Sequence, residues 1–308
     1  MVSVERVLQF GDLEPEAPLE LEGDKALLEQ NPPRWPPPQG AIEVQNMCVR
    51  YRASLPLALQ DVSFSIPAGA RVGIVGRTGS GKSTTVQALF RLLEAEQGQI
   101  VIDGVKIQDL GLHALRTHIS VLPQVPTLFS GCTVRENLDL FSLHSDDEIA
   151  EVLTECHMLS VVNELVDGWD SIVSENGSNF SVGQRQLLCL ARALLSRNKI
   201  LVLDEATASV DRRTDQLLQQ ALLEQQTLGT ILSVAHRLDT VIDNDYILVL
   251  GGGKVLEYGK PADLLRQSNG AFASMVNDTG ESMAQELQRR AFAKEAQDKA
   301  EQTKDKHV

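Results

Sequence analysis

The 308-residue sequence contains no apolar run of about eighteen residues, the length a membrane-crossing helix needs, and its start lacks the basic-then-apolar order of a secretory signal. A soluble chain is therefore expected. Basic residues are in deficit, 28 against 42 acidic, and the net charge of -14 argues against broad nucleic-acid binding. Local loops can still meet phosphate, because a few side chains and backbone dipoles set the field of a site. Close cysteine pairs are also missing. Cys48, Cys132, Cys156 and Cys189 are too scattered for a zinc site or a redox dithiol, and they read as reduced, small apolar residues in a cytosolic setting. No internal repeat occurs.

What remains is an ordinary globular composition, 43% hydrophobic and 23% charged, with length enough for one large α/β domain or two small ones. Residues 1–40 are acidic and end in the proline cluster around Trp35, where successive prolines remove backbone donors and favour extended chain. They read as a linker in which only Val2 to Phe10 has helical character. From Ala41 apolar residues alternate at period two through Ile42, Val44, Val49, Val62, Phe64 and Ile66, which predicts a half-exposed antiparallel sheet. The apolar strand Val72 to Val75 then enters a glycine-rich turn, and a helix is predicted from Ser83 to Leu93.

Between about residues 125 and 197 the strand signal fades, and Asp146 to Leu153 and Gln186 to Leu195 carry apolar residues at helical spacing. A helical subdomain is expected there. Strands resume at Ile200 to Leu203, Thr230 to Ala235, Ile247 to Leu250 and Lys254 to Tyr258, so the helical insert splits a parallel core. Residues 279–308 are rich in Glu, Gln, Lys and Ala without a sustained apolar stripe, and read as a solvated, charged tail.

Gly76, Arg77, Thr78, Gly79, Ser80, Gly81, Lys82 and Ser83 fit G-x-x-x-x-G-K-[ST] between a predicted strand and a predicted helix. In that pattern glycines let backbone N–H groups wrap the β- and γ-phosphates, and the helix points its positive end at them. Lys82 adds a point charge, and the Ser83 hydroxyl, followed by Thr84, is a hard oxygen ligand for Mg²⁺. Downstream, the apolar run Ile200 to Leu203 ends in Asp204 and Glu205. Asp204 is placed to hold Mg²⁺ through water, and Glu205 to polarise an attacking water as general base. An isolated acidic pair at a strand end is as often a solvated terminus; the upstream phosphate loop shifts that balance.

Phe180-Ser181-Val182-Gly183-Gln184 stands ahead of these carboxylates, with Ser181 as a helix cap and Gly183 leaving its backbone open to phosphate. This segment resembles the signature, usually L-S-G-G-Q, of ABC transporter nucleotide-binding domains. The family's other landmarks follow in order. Gln124 resembles the Q-loop residue, Ser209-Val210-Asp211 the D-loop, His236 the switch histidine, and Tyr51 the aromatic that stacks on adenine. Singly these are weak, since a lone His or Tyr is more often structural; their joint order carries the resemblance.

Closer still is the C subfamily, the multidrug-resistance-associated type, and the second of its two nucleotide domains. The segments are Met1 to Val7, Arg50-Tyr51-Arg52, Gly73 to Gly79 and Ser181 to Leu194, and the likeness runs from about residue 1 to 278. Phe180 replaces the usual leucine, and Val182 one glycine of the usual pair.

The resemblance implies an α/β fold of the P-loop NTPase (RecA-like) type: a parallel-sheet core, an antiparallel β subdomain and an inserted helical subdomain. The nucleotide-binding domain would span residues 41–278, after a linker that follows a transmembrane domain. It implies a Mg²⁺-dependent ATPase whose ATP contacts Tyr51, Gly76 to Thr84 and, across a head-to-tail dimer, Ser181, Gly183, Gln184 and Asp211. Ser83, Gln124 and Asp204 would hold Mg²⁺, while Lys82, Gln124, Glu205 and His236 would carry the chemistry. The implied partners are a second nucleotide-binding domain and a transmembrane domain at the cytosolic face of a membrane, with organic anions, conjugates or drugs as cargo. Two rivals stand beside this reading. A soluble ATPase acting on ribosomes or DNA is disfavoured by the acidic charge, and a module that binds ATP without turnover by Glu205 and His236.

Overall fold

The computed structural model describes residues 2–11, 15–29, 35–206, 210–224 and 229–305. Helices α1 (Val2–Gly11) and α2 (Glu22–Leu28) precede strands β1 (Ile42–Val49), β2 (Leu59–Ile66) and β3 (Arg71–Val75). After α3 (Lys82–Leu89) come β4 (Ala95–Ile102), β5 (Val105–Lys106), α4 (Leu112–Thr117) and β6 (Ser120–Leu122). A helical stretch follows: α5 (Val134–Leu138), α6 (Asp146–Glu155), α7 (Leu159–Asn163) and α8 (Val182–Leu195). The chain then runs through β7 (Ile200–Asp204), α9 (Arg212–Glu224), β8 (Thr230–Val234), β9 (Tyr246–Gly251) and β10 (Lys254–Gly259). It closes on α10 (Pro261–Arg266), α11 (Ala271–Asn277) and α12 (Glu281–Asp305).

Two sheets result. The first has the order β2-β1-β4-β5 and is antiparallel, with Ile42 opposite Ile66 and Val44 opposite Phe64. The period-two pattern turns these residues inward, against Leu59, Val62, Ile100 and Ile102. The second has the order β10-β9-β3-β8-β7-β6; β9, β3, β8, β7 and β6 are mutually parallel, and β10 returns antiparallel along the edge. Its central strands are buried along nearly their whole length, as β-branched and leucine-rich parallel strands require when both faces are covered. A second apolar cluster joins α8 to Leu153, Met158 and Val162, while Leu201, Leu203 and Ile231 connect it to the parallel sheet. Among the described residues, no helix is long and apolar enough to cross a membrane.

Helix starts in the insert follow local chemistry. Thr133 with Glu136, Ser145 with Glu148 and Ser181 with Gln184 each form a reciprocal capping box, satisfying N–H groups that a helix leaves without partners.

Both ends of the chain differ from the expectation drawn from composition. The described part of residues 15–40 packs onto the domain instead of hanging free. Trp35 is fully buried, its indole N–H donates to the Ala114 carbonyl at 2.9 Å, and its ring meets His118 edge-on. Asp24, also buried, accepts from the N–H groups of Leu21 at 2.8 Å and Gly111 at 2.9 Å. At the other end, residues 281–305 form one helix rather than a solvated tail. Ala284, Leu287 and Ala291 supply a narrow stripe at helical spacing, and it is enough because it lands in an existing apolar cluster with Val241, Ile242, Phe272 and Val276.

Candidate functional site

Four neighbouring parallel strands, β3, β8, β7 and β6, end in the four motifs singled out in the sequence. β3 runs into the glycine-rich loop, β8 ends just before His236, β7 ends at Asp204 ahead of Glu205, and β6 ends just before Gln124. In open α/β sheets, ligands bind at such carboxyl ends.

The loop after β3 is built for close approach. Gly79 has φ +77 with open space where a Cβ would stand, and Gly81, at φ +108, opens α3 where a Cβ would lie 2.5 Å from Leu59 Cδ2. An L side chain rarely adopts either backbone conformation. Lys82 is 5% exposed, and its ammonium donates to the Gly76 carbonyl at 2.8 Å. Burial pushes its pKa down, while the Glu205 and Asp204 carboxylates push it up. The buried Ser80 hydroxyl has no protein partner, which leaves a donor for an anion in this loop. Thr84 is buried and its hydroxyl lies 3.0 Å from that of Tyr51, whose own hydroxyl donates to Gln87 at 3.2 Å. Tyr51 thus stands over the start of α3 with its ring half exposed.

Glu205 is the hub across the cleft. One carboxylate oxygen lies 2.6 Å from His236 Nε2, and the other accepts from the Gln124 amide at 2.9 Å. Its backbone is at φ +48, a left-handed position that a glutamate adopts only under constraint, and its N–H donates to the Val234 carbonyl at 3.0 Å. Asp204, half-buried beside it, has its pKa raised by burial and by the Glu205 charge, with Lys82 opposing. A cleft of about 300 Å³ brings together Tyr51, Thr78, Lys82, Ser83, Glu205 and His236.

Donors of the right kind are present for ATP and Mg²⁺. The loop offers N–H groups, an orphaned hydroxyl and a buried ammonium to phosphate, while Ser83, Asp204 and the Gln124 amide oxygen are hard oxygens of the kind Mg²⁺ prefers.

Ser181, Gly183, Gln184 and Asp211 do not line this cleft. Ser181 and Gln184 cap α8, the Ser181 N–H donating to Gln184 at 2.9 Å and the Gln184 N–H to Ser181 at 3.1 Å. Asp211 caps the start of α9, accepting from the N–H groups of Arg213 at 3.0 Å and Thr214 at 3.2 Å and from the Thr214 hydroxyl at 2.7 Å. Ser209 lies outside the described residues.

Sequence reasoning missed Gln186. It is fully buried on α8, and its amide donates at 3.1 Å to the carbonyl of Pro123, the residue before Gln124. A glutamine on the apolar face of a helix was its only local signal.

The ABC transporter family profile matches residues 59–208, from β2 across the phosphate loop, signature and acidic strand end. Residues 59–208 form a domain of the ABC transporter family. This is an ATP-binding domain, and such domains are ATPases. Among curated relatives, the chain is 47% identical over 276 residues to "ABC transporter C family member 3" of Arabidopsis thaliana, covering 90% of this chain and 18% of that protein. It is 46% identical over 287 residues to "ATP-binding cassette sub-family C member 4" of Homo sapiens, covering 93% and 21% respectively. The chain thus spans about a fifth of the length of these C-subfamily relatives. A solved bacterial Atm1-family ABC exporter with ATP bound superposes with a TM-score of 0.76 at 30% identity, over 91% of this chain and 48% of that one.

Proposed function

We propose that this ABC domain is the second nucleotide-binding domain of a C-subfamily exporter, and that its ATP hydrolysis powers outward movement of organic anions, conjugates or drugs through a transmembrane domain. One observation carries the catalytic part: Glu205 faces the phosphate loop with Gln124 on one oxygen and His236 on the other.

In this reading Lys82, the Ser80 hydroxyl and the loop N–H groups bind the phosphates, and Tyr51 packs against the base. Mg²⁺, held by Ser83, Asp204 and Gln124, would neutralise phosphate charge when bound. Glu205 orients and deprotonates a water, which requires an ionised carboxylate within hydrogen-bond reach of it. Gln124 and His236 fix which way that carboxylate faces, and His236 reaches the terminal phosphate.

Ser181, Gly183, Gln184 and Asp211, lying away from the chain's own cleft, fit a second role. They would close over the nucleotide of a partner domain placed head to tail, with cleft closure doing work on attached membrane helices. The C-subfamily relatives, being about five times longer, support a transmembrane partner at the cytosolic face of a membrane.

Mg²⁺-dependent phosphate release by the intact chain, compared with Glu205→Gln, tests the enzymatic core. The expected result is turnover in the first and its loss in the second; equal rates would remove Glu205 as the base. Reconstitution with a transmembrane partner in vesicles, with uptake of a glutathione conjugate as the readout, tests the transport step.

A further inference from the structure

We propose that helix α12 positions His236, with Arg290 and Lys294 as the positioning residues; the inference rests on the role of His236 given above.

His236 follows β8 in a segment that includes a 3-10 turn, Leu238–Thr240, and reaches β9 at Tyr246. Within it, Arg237 pairs with Asp239 at 2.6 Å and the Thr240 hydroxyl donates to the Arg237 carbonyl at 2.8 Å. Arg237 also lies 4.0 Å from the Asp215 carboxylate of α9, and Val241 and Ile242 of the segment are fully buried in the core.

Helix α12 adds polar anchors to the main chain of this segment. Arg290 donates to the main-chain carbonyl of Asp239 at 3.0 Å and pairs with the Asp243 carboxylate. One turn on, Lys294 donates to the Asp243 carbonyl and to Asp245 Oδ1, the latter at 2.8 Å. The other Asp245 oxygen accepts from the Arg71 N–H at 2.8 Å, where β3 begins. Beneath these polar arms, Ala235 and Leu238, which flank His236 and Arg237, share an apolar cluster with Ala284, Leu287 and Ala291. Val75, the last residue before the phosphate loop, belongs to the same cluster. One helix therefore holds the main chain that follows the histidine and shares an apolar cluster with Val75.

His236 lines three clefts. One is the nucleotide cleft; another, of about 420 Å³, is shared with Gln124, Glu205 and Gln219; the third, of about 480 Å³, lies against α12 and is lined by Arg77, Asp239, Met275, Met283 and Leu287 as well. There is space on the α12 side for the loop to turn away from Glu205. Pins on Asp239 and Asp243 restrict that movement. Arg290 and Lys294 are partly exposed, and such pairs add little to global stability, so their effect falls on where the loop sits.

The test uses the full chain with Arg290→Ala and Lys294→Ala combined, beside wild type, Glu205→Gln, and the charge-conserving pair Arg290→Lys and Lys294→Arg. Turnover, KM for ATP, thermal midpoint and the ring resonances of isotope-labelled His236 are measured. Expected are a fall in turnover of about tenfold, KM within about twofold, a nearly unchanged thermal midpoint, and shifted or broadened His236 signals, with the charge-conserving pair recovering most of the turnover. Unchanged turnover and unchanged His236 signals, while Glu205→Gln is inactive, would overturn the positioning role and leave the ATPase reading intact. If wild type itself shows no turnover, the ATPase reading fails, and the His236 resonances alone decide: unchanged signals overturn the inference, perturbed ones support it. A large fall in thermal midpoint without recovery by the charge-conserving pair would show a purely structural brace and also overturn it.

Discussion

His236 Nε2 and Glu205 Oε1 lie 2.6 Å apart, joining the loop after one parallel strand to the end of the next. The opposite Glu205 oxygen receives the Gln124 amide, so each oxygen of the carboxylate has a fixed donor or partner. Glu205→Gln keeps size and shape but removes the base. Turnover is expected to fall by about 10²- to 10⁴-fold while ATP still binds, as read by phosphate release beside fluorescent-nucleotide titration.

Lys82 is nearly closed off from solvent, and burial disfavours its charge. A bound triphosphate would offset that cost. Lys82→Ala is expected to weaken ATP affinity by at least about tenfold, about 1.4 kcal/mol, and to abolish the rise in thermal midpoint that ATP gives wild type. Scanning calorimetry with and without nucleotide provides the check.

Gly183 faces α9, and a Cβ there would stand 2.9 Å from Thr214 Cγ2 and nearer still to its hydroxyl. Gly183→Ala is expected to cost about 1–3 kcal/mol through overpacking. Adding Thr214→Ala should return at least half of that loss, because the clash is with this one side chain. Urea unfolding of the two single variants and the double variant measures the coupling.

Trp35 contributes a fully buried indole and one hydrogen bond to Ala114. Trp35→Ala is expected to destabilise by about 3–5 kcal/mol, within the usual range for an aromatic lost from a core. Chemical denaturation checks it, and a loss below about 1 kcal/mol would mean that the segment leaves the surface readily.

Glu295 lies 2.5 Å from Arg266 and 2.7 Å from Lys299, and these bonds lower its pKa from 4.5 to about 2. A lowered carboxylate stabilises the folded form fully above its unfolded value. That contribution fades as the pH falls from about 4.5 toward 2. Carboxyl carbon resonances should place the Glu295 midpoint near 2, and Arg266→Gln should move it back toward 4.5.

Much of this arrangement is legible in sequence because its signals are local. Strand, glycine turn and helix sit within residues 71–89, and the apolar run of β7 stops at its two carboxylates. Ser181 was expected as a cap and forms one. The features missed have partners far away in the chain. Trp35 among prolines looks like linker because nothing nearby announces Ala114 or His118. Ala284, Leu287 and Ala291, scattered among the polar residues of a twenty-five-residue helix, do not look like a buried stripe until Val241, Ile242 and Phe272 are seen to cover them. Strand β4 is interrupted by Gln97, Gly98 and Gln99, whose polarity hides the period, and it pairs with β1 through register shifts.

Because the phosphate loop, His236, Glu205 and Gln124 each follow adjacent members of one parallel sheet, their lateral spacing is dictated by main-chain ladder geometry rather than by loop length. Adjacent strands repeat at about 4.8 Å, so three intervals from β3 to β6 lay out a ruler of about 14 Å. Insertions or deletions in the surrounding loops would leave that ruler unchanged, whereas a register slip in β7 or β8 would misplace the reacting groups without altering one of them.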